Sequence, residues 1–224
     1  MRAKFDQQLD TLNVMLIEMG ALCEEAITYA VRALNENGDE MRRLTFETDS
    51  IIDEMEREIE ALCLKLLLQQ QPVARDLRQI SAALKMISDM ERIGDQAYDI
   101  AEITETIKDE ENNLSKENIN RMADASIKMV TKSIDSFVNK DMDLANDVII
   151  MDDIVDKMFD DIKAELINAV AADKRIGELL VDNLMIAKYL ERICDHAVNI
   201  AEWVIFSITG KHVADKHIGE KEGL

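Results

Sequence analysis

The stretch Glu91-Arg92-Ile93-Gly94-Asp95-Gln96-Ala97-Tyr98-Asp99-Ile100-Ala101-Glu102 returns one hundred residues later as Glu191-Arg192-Ile193-Cys194-Asp195-His196-Ala197-Val198-Asn199-Ile200-Ala201-Glu202. Eight of the twelve positions are identical, Glu91/Glu191, Asp95/Asp195 and Glu102/Glu202 among them. Solenoid repeats recur every 20–50 residues or so, so this wider spacing reads as a duplicated half. A second echo lies upstream: Asp49-Ser50-Ile51-Ile52-Asp53-Glu54-Met55 matches Asp152-Asp153-Ile154-Val155-Asp156-Lys157-Met158 at an offset of 103. The difference between the two offsets shortens the connection before the last motif.

Outward from these motifs the periodicity is helical throughout. Leu9, Leu12, Leu16, Met19, Cys23, Ile27, Ala30 and Leu34 recur at three and four, which predicts an amphipathic helix from Phe5 to about Leu34. Gly38 suits the residue past its end, and Asp39 the N-cap of a second helix reaching about Gln70. Pro72 breaks the chain and fits only the first turn of a third helix, which carries the motif to about Ile107. The polar run 109–114 divides the halves. Ser115, Asp141 and Asp173 then open three further helices, and Gly210 closes the last. The expectation is an all-α protein of two tandem three-helix bundles of long antiparallel helices: 1–111, then 112–210, with a charged tail over 211–224 in which His212 and His217 are solvated.

Composition agrees. Seven Gly and one Pro in 224 residues leave little material for the turns of an all-β fold, and 47% hydrophobic residues argue against disorder. No apolar run reaches the roughly 18 residues a bilayer span needs, and the start turns acidic before a signal-peptide core could form. Cys23, Cys63 and Cys194 are an odd count without CxxC spacing, as in a reducing, cytoplasmic setting. A formal charge of −20 opposes nucleic-acid binding and makes free phosphate or nucleotide a poor ligand unless a metal intervenes.

The same charge draws attention to the carboxylates. At 100° per residue, Met86, Met90, Ile93, Ala97 and Ile100 form the core stripe of the third helix, while Glu91, Asp95 and Glu102 line up opposite, with Asp99 at the edge. Asp49 and Asp53 share a flank of the second helix, Asp152 and Asp156 a flank of the fifth, and Glu191 and Asp195 repeat the row on the last. If neighbouring helices pack side by side, Asp49, Asp53, Glu91 and Asp95 converge, as do Asp152, Asp156, Glu191 and Asp195. Acidic residues on helices are usually solvated faces. Like charges at i, i+4 nevertheless cost a few tenths of a kcal/mol, about the magnitude of one surface ion pair. Here both halves keep them while Gln96/His196 and Tyr98/Val198 diverge. That retention favours a metal-binding patch, and oxygen ligands without His or Cys suit Mg²⁺, Mn²⁺, Ca²⁺ or ferric iron. Arg92 and Arg192 read as partners that screen the acids. Cys194, matched by Gly94, reads as a small residue, and His196, matched by Gln96, as a non-ligand. Gln71-Pro72-Val73-Ala74-Arg75-Asp76-Leu77-Arg78 interrupts the acidity with basic residues; it reads as helix initiation or as a docking corner.

This last segment, with Asp89-Met90-Glu91-Arg92-Ile93-Gly94-Asp95, Ile100-Ala101-Glu102 and Leu190-Glu191-Arg192-Ile193-Cys194-Asp195, resembles the PhoU family of phosphate-transport regulators from Phe5 to about Gly210. The resemblance implies paired three-helix bundles and metal on Asp49, Asp53, Glu91 and Asp95, and on Asp152, Asp156, Glu191 and Asp195. It leaves iron, manganese, magnesium and zinc open. It further implies a non-enzymatic adaptor that restrains a phosphate-sensing histidine kinase and contacts the phosphate ABC transporter from the cytoplasmic side, a role compatible with a homodimer. Cys194 and Asn199 depart from the first copy and imply a second site that binds metal differently or more weakly. The alternatives are a carboxylate-bridged iron oxidase or storage bundle, disfavoured because the chain has no Glu-x-x-His, and a metal-free scaffold.

Overall fold

The structure, a computed structural model, describes residues 2–34, 38–70, 72–107, 115–172 and 177–212, and every regular element among them is helical. The helices are α1 (Arg2–Ala33), α2 (Gly38–Gln70), α3 (Ala74–Ile103), α4 (Lys116–Asn139), α5 (Met142–Ala172) and α6 (Gly177–Thr209). The break expected near 140 separates α4 from α5; those expected near 37, 71, 112 and 173, with Asp173 as the start of the last helix, lie outside the described residues. The expected division at 111/112 and the tail beyond His212 lie outside the described residues.

Helix ends show where local chemistry was and was not decisive. Asp141 caps α5, its Oδ1 accepting the Leu144 amide at 3.0 Å. Ser115 stands at the N-cap of α4, but in a left-handed conformation (φ 64°) with no side-chain cap bond. Asp39 is not a cap either: it lies in the first turn of α2 and pairs with Arg42. Pro72 precedes α3 rather than entering it, with extended Val73 as the N-cap. Helix α3 also stops earlier than expected, because the Thr104 hydroxyl turns back on the Ala101 carbonyl at 2.7 Å and a turn follows.

α1, α2 and α3 pack on one another, as do α4, α5 and α6; α3 against α6 and α1 against α4 join the two bundles. α2 and α5 therefore lie outermost and α3 and α6 innermost. The hydrophobic core is one continuous cluster, running from Leu12, Leu16 and Ile52 through Met90, Ile93 and Ala97 to Ile186, Ile193 and Val204. Gly20 permits the close approach of α1 to α4, since a Cβ there would collide with Cδ1 of Ile134.

The two halves fill the equivalent core position differently. Cys23 of α1 directs Sγ at the Met90 carbonyl of α3 (3.4 Å), and Gly94, one turn on, faces Asp49 and Ile52 of α2. In the second half Ser126 stands for Cys23 and Cys194 for Gly94. The Ser126 hydroxyl lies 3.4 Å from the Leu190 carbonyl, and Cys194 Sγ donates to Ser126 Oγ at 3.2 Å. Val155 replaces Ile52 there, removing the methyl group that in the first half lies 3.2 Å from where a Cβ on residue 94 would be. Close packing makes such compensated exchanges the tolerated kind.

Candidate functional site

Helices α2 and α3 bring the first four predicted carboxylates together. Asp49 is half-buried against Gly94, and its Oδ1 is buried without a hydrogen-bond partner. Burial first, then the charges of Asp53, Asp95 and Asp99, push Asp49 up to about 6. Glu91 is also raised, by burial and by Asp95, with Glu56 and Asp53 adding and Arg92 opposing. As expected, Arg92 pairs with the acids: its Nη1 is 3.0 Å from Asp95 and its Nε 3.4 Å from Glu91. Asp99, placed only at the edge by the helical wheel, belongs to the patch, and so does Glu56. Glu102 stays exposed.

The second four converge in the same way between α5 and α6. Asp152 Oδ1 is likewise buried without a partner, and burial, Asp156, Asp195, Asp153 and Glu191 push that carboxyl up to about 6. Asp195 is raised by burial and Glu191, while Lys188 and His196 pull it down. Lys188 has no counterpart in the first half, where Ser88 stands instead. Its ammonium pairs with Glu191 and lies 5.4 Å from the Phe159 ring centre, Phe159 occupying the position of Glu56. Glu56 and Asp99 thus have no acidic counterpart, Asp153 stands where the first half has Ser50, and one cation is gained.

Each patch gathers anionic oxygens that repel one another, and each contains one buried oxygen with no donor. Among the described residues no three His, Cys, Asp or Glu side chains already close into a metal-binding group. The unpartnered Oδ1 of Asp49 and of Asp152 nonetheless fits a cation, which would satisfy both the orphan acceptor and the mutual repulsion. Thiolate ligation does not fit, because burial raises all three cysteines, Cys63 and Cys194 to about 12.

The α3/α6 seam lies between the patches. Asp89 Oδ1 accepts His196 Nδ1 at 2.9 Å and Asn199 Nδ2 at 3.0 Å. Reciprocally, Tyr189, the counterpart of Asp89, approaches Asp99, the counterpart of Asn199, closely enough to lower that carboxyl against the effect of burial. His196 and Asn199 therefore act between the halves. Trp203 is half-buried, in edge contact with Phe206 at 5.7 Å. His212 corrects the expectation of a merely solvated residue: exposed as it is, its ring stacks on Phe206 with centres 4.4 Å apart. His217 lies outside the described residues. No described helix is long and apolar enough to cross a membrane.

This architecture has close counterparts among known proteins. A family model described as the PhoU domain matches twice, over residues 16–104 and 119–204. The chain is 36% identical over 213 residues to the phosphate-specific transport system accessory protein PhoU homolog of Clostridium acetobutylicum, covering 95% of this chain and 97% of that one. It is 36% identical over 218 residues to the homolog of the same name from Aquifex aeolicus, covering 97% and 99%. The crystal structure of PhoU from Pseudomonas aeruginosa superposes with a TM-score of 0.85 at 32% identity, covering 92% of this chain and all of that one. The phosphate transport system regulatory protein PhoU from Streptococcus pneumoniae superposes equally well at 28% identity, covering 93% and 99%. Two matched copies, one per three-helix bundle, place this chain in the PhoU domain family.

Proposed function

We propose that the protein is a non-enzymatic accessory regulator of phosphate uptake. It works in the cytoplasm against the inner side of a phosphate ABC transporter and restrains a phosphate-sensing histidine kinase when phosphate is plentiful. Similarity along almost the whole chain to accessory proteins of the phosphate-specific transport system supports the role. The one structural observation that carries its metal dependence is the pair of equivalent carboxylate patches, each with an unpartnered buried oxygen at Asp49 or Asp152. Asp49, Asp53, Glu91 and Asp95 would hold one cation site and Asp152, Asp156, Glu191 and Asp195 the other, with iron, manganese, magnesium and zinc all compatible with oxygen donors. A bound cation would neutralise an acidic face and so permit docking against a partner or a second copy of the chain.

The iron-oxidase reading fares worse. That chemistry uses carboxylates and histidines inside the bundle, and among the described residues the one buried charged side chain is Asp76. The test is genetic. Deleting the protein leaves phosphate-starvation genes switched on in phosphate-rich medium, and a copy carrying Asp53→Asn and Asp95→Asn complements poorly. Normal repression in the deletion strain removes the regulator reading, and full complementation by the variant reduces the metal to an incidental role.

A further inference from the structure

The overall charge argued against an anionic ligand, yet one place in the fold reverses that sign. A cleft of about 260 Å³ opens at one end of the α3/α6 seam, lined by Arg75, Arg78 and Gln79 from the first turns of α3, Phe137 and Lys140 from the end of α4, and Ser207 and Ile208 from the end of α6. Three cations line it and no carboxylate does. Asp76 is buried in the same turn as the arginines without lining the cleft, and Asp141 is engaged on the Leu144 amide. Among the described residues neither arginine nor Lys140 has an ion-pair partner.

Arg78 is the telling residue. Its side chain lies across Gly210, whose left-handed φ of 75° suits glycine; a Cβ there would stand 3.5 Å from Cδ and 3.6 Å from Nε of Arg78. Nε is buried and has no acceptor. A cation here also suits the negative end of the α6 dipole, but among the described residues Arg78 bonds none of the last α6 carbonyls. A buried guanidinium donor without a partner is costly, and a bound oxyanion removes that cost. The site is also unique in a duplicated molecule. At the equivalent positions of the other half Arg78 becomes Glu178, Gln79 becomes Leu179 and Lys140 becomes Asn37, so three of its polar groups lack a copy.

We propose that this cleft binds a phosphoryl anion, either inorganic phosphate or a phosphomonoester. Two arginine forks at i, i+3, on the positive end of α3, suit its terminal oxygens, with Lys140 supplying the third charge. At physiological salt the acidic patches are screened beyond about 8 Å, so the net charge does not decide affinity here.

The test uses the full chain, stripped of metal by chelation and desalted so that no metal bridge can contribute. It is titrated at physiological ionic strength, the condition under which the acidic patches are screened, with inorganic phosphate and, in a second arm, with O-phosphoserine, followed by calorimetry and phosphorus NMR. Saturable one-to-one binding is expected, tighter for phosphoserine if the natural source is a modified side chain and tighter for phosphate if it is the free ion. Arg78→Gln weakens binding by roughly tenfold or more, and Arg75→Gln and Lys140→Gln, at exposed positions where folding is retained, each by several-fold. Failure of both ligands to saturate overturns the assignment, as does undiminished affinity in the Arg75→Gln/Lys140→Gln double variant with an unchanged circular dichroism spectrum.

Discussion

Gly94 and Asp49 are in such close register that a Cβ on Gly94 would lie 2.9 Å from Oδ1 of Asp49. The glycine is what allows the carboxylate to fold inward between α2 and α3. Gly94→Ala gains up to about 1 kcal/mol of helix propensity, and Asp49, a short side chain with one free end, yields toward solvent to accommodate the methyl. The expected outcome is a melting temperature that changes little and a first-patch metal affinity that falls several-fold. Adding Ile52→Val, which recreates the Val155 arrangement of the second half, restores part of the affinity. Unchanged metal affinity in Gly94→Ala would sink the claim that this register positions Asp49.

The raised carboxyls set a pH dependence of known sign. Asp49 and Asp152 sit at about 6 in the folded protein against an ordinary 3.8. Between those values the folded state retains protons that the unfolded chain has released, so stability declines as pH rises from about 4 through 6. The metal-free protein should melt lower at about pH 7.5 than at about pH 5.5. Added Mn²⁺ or Mg²⁺ should raise the melting temperature mostly at the higher pH, where protons no longer compete for the ligands. Calorimetric melts of wild type and of Asp49→Asn/Asp152→Asn check this: the double variant should lose most of the pH slope. A steeper slope in the variant contradicts the assignment.

The helix count, the break near 140 and both carboxylate quartets were legible because duplication compares the sequence with itself, and a 3.6-residue period fixes which residues share a face. A helical wheel gives an angle, though, not the reach of a neighbour. It put Asp99 at the edge and left Glu56 and Lys188 out, because their membership depends on how α2 leans on α3 and α5 on α6. It set Asp49 and Asp152 on helix flanks, whereas packing of α2 against α3 and of α5 against α6 half-buries them. The Asp89–His196 contact joins residues 107 apart on helices whose pairing no periodicity reveals. The phosphoryl cleft was invisible for the same reason, since residues 75–79, 137–140 and 207–208 meet only in the folded chain.

Asp89 tests how firmly the halves are joined. Asp89→Ala leaves the His196 ring nitrogen and the Asn199 amide without their shared acceptor, at a cost of about 1–2 kcal/mol for partly buried groups. His196→Gln, which copies Gln96, should cost less because its amide can still donate. Denaturant melts should show both losses within one cooperative transition, since the core is continuous across the halves. Two separate transitions in either variant would mean that the bundles fold independently.

Lys188 tests whether the two patches are chemically distinct. It pairs with Glu191, one of the four carboxylates assigned to the second site, and lowers Asp195 in the same cluster. A cation entering that site must displace the ammonium from Glu191 or coexist with it, whereas in the first patch exposed Arg92 stands beside Glu91 and Asp95, Arg192 acts on Asp99 at the edge, and Glu56 adds a carboxylate. The first site should therefore fill first. Lys188→Gln removes a fixed positive charge without adding bulk, and should strengthen second-site binding by roughly tenfold, about 1.4 kcal/mol, bringing the two sites closer in affinity. Lys188→Ser, the residue of the first half, should act in the same direction. Calorimetric titration with Mn²⁺ resolves this: wild type shows two unequal steps, Lys188→Gln two nearly merged ones. Should both proteins titrate with identical step spacing, Lys188 does not govern the second patch, and the asymmetry belongs instead to Cys194, Val155 and Asn199.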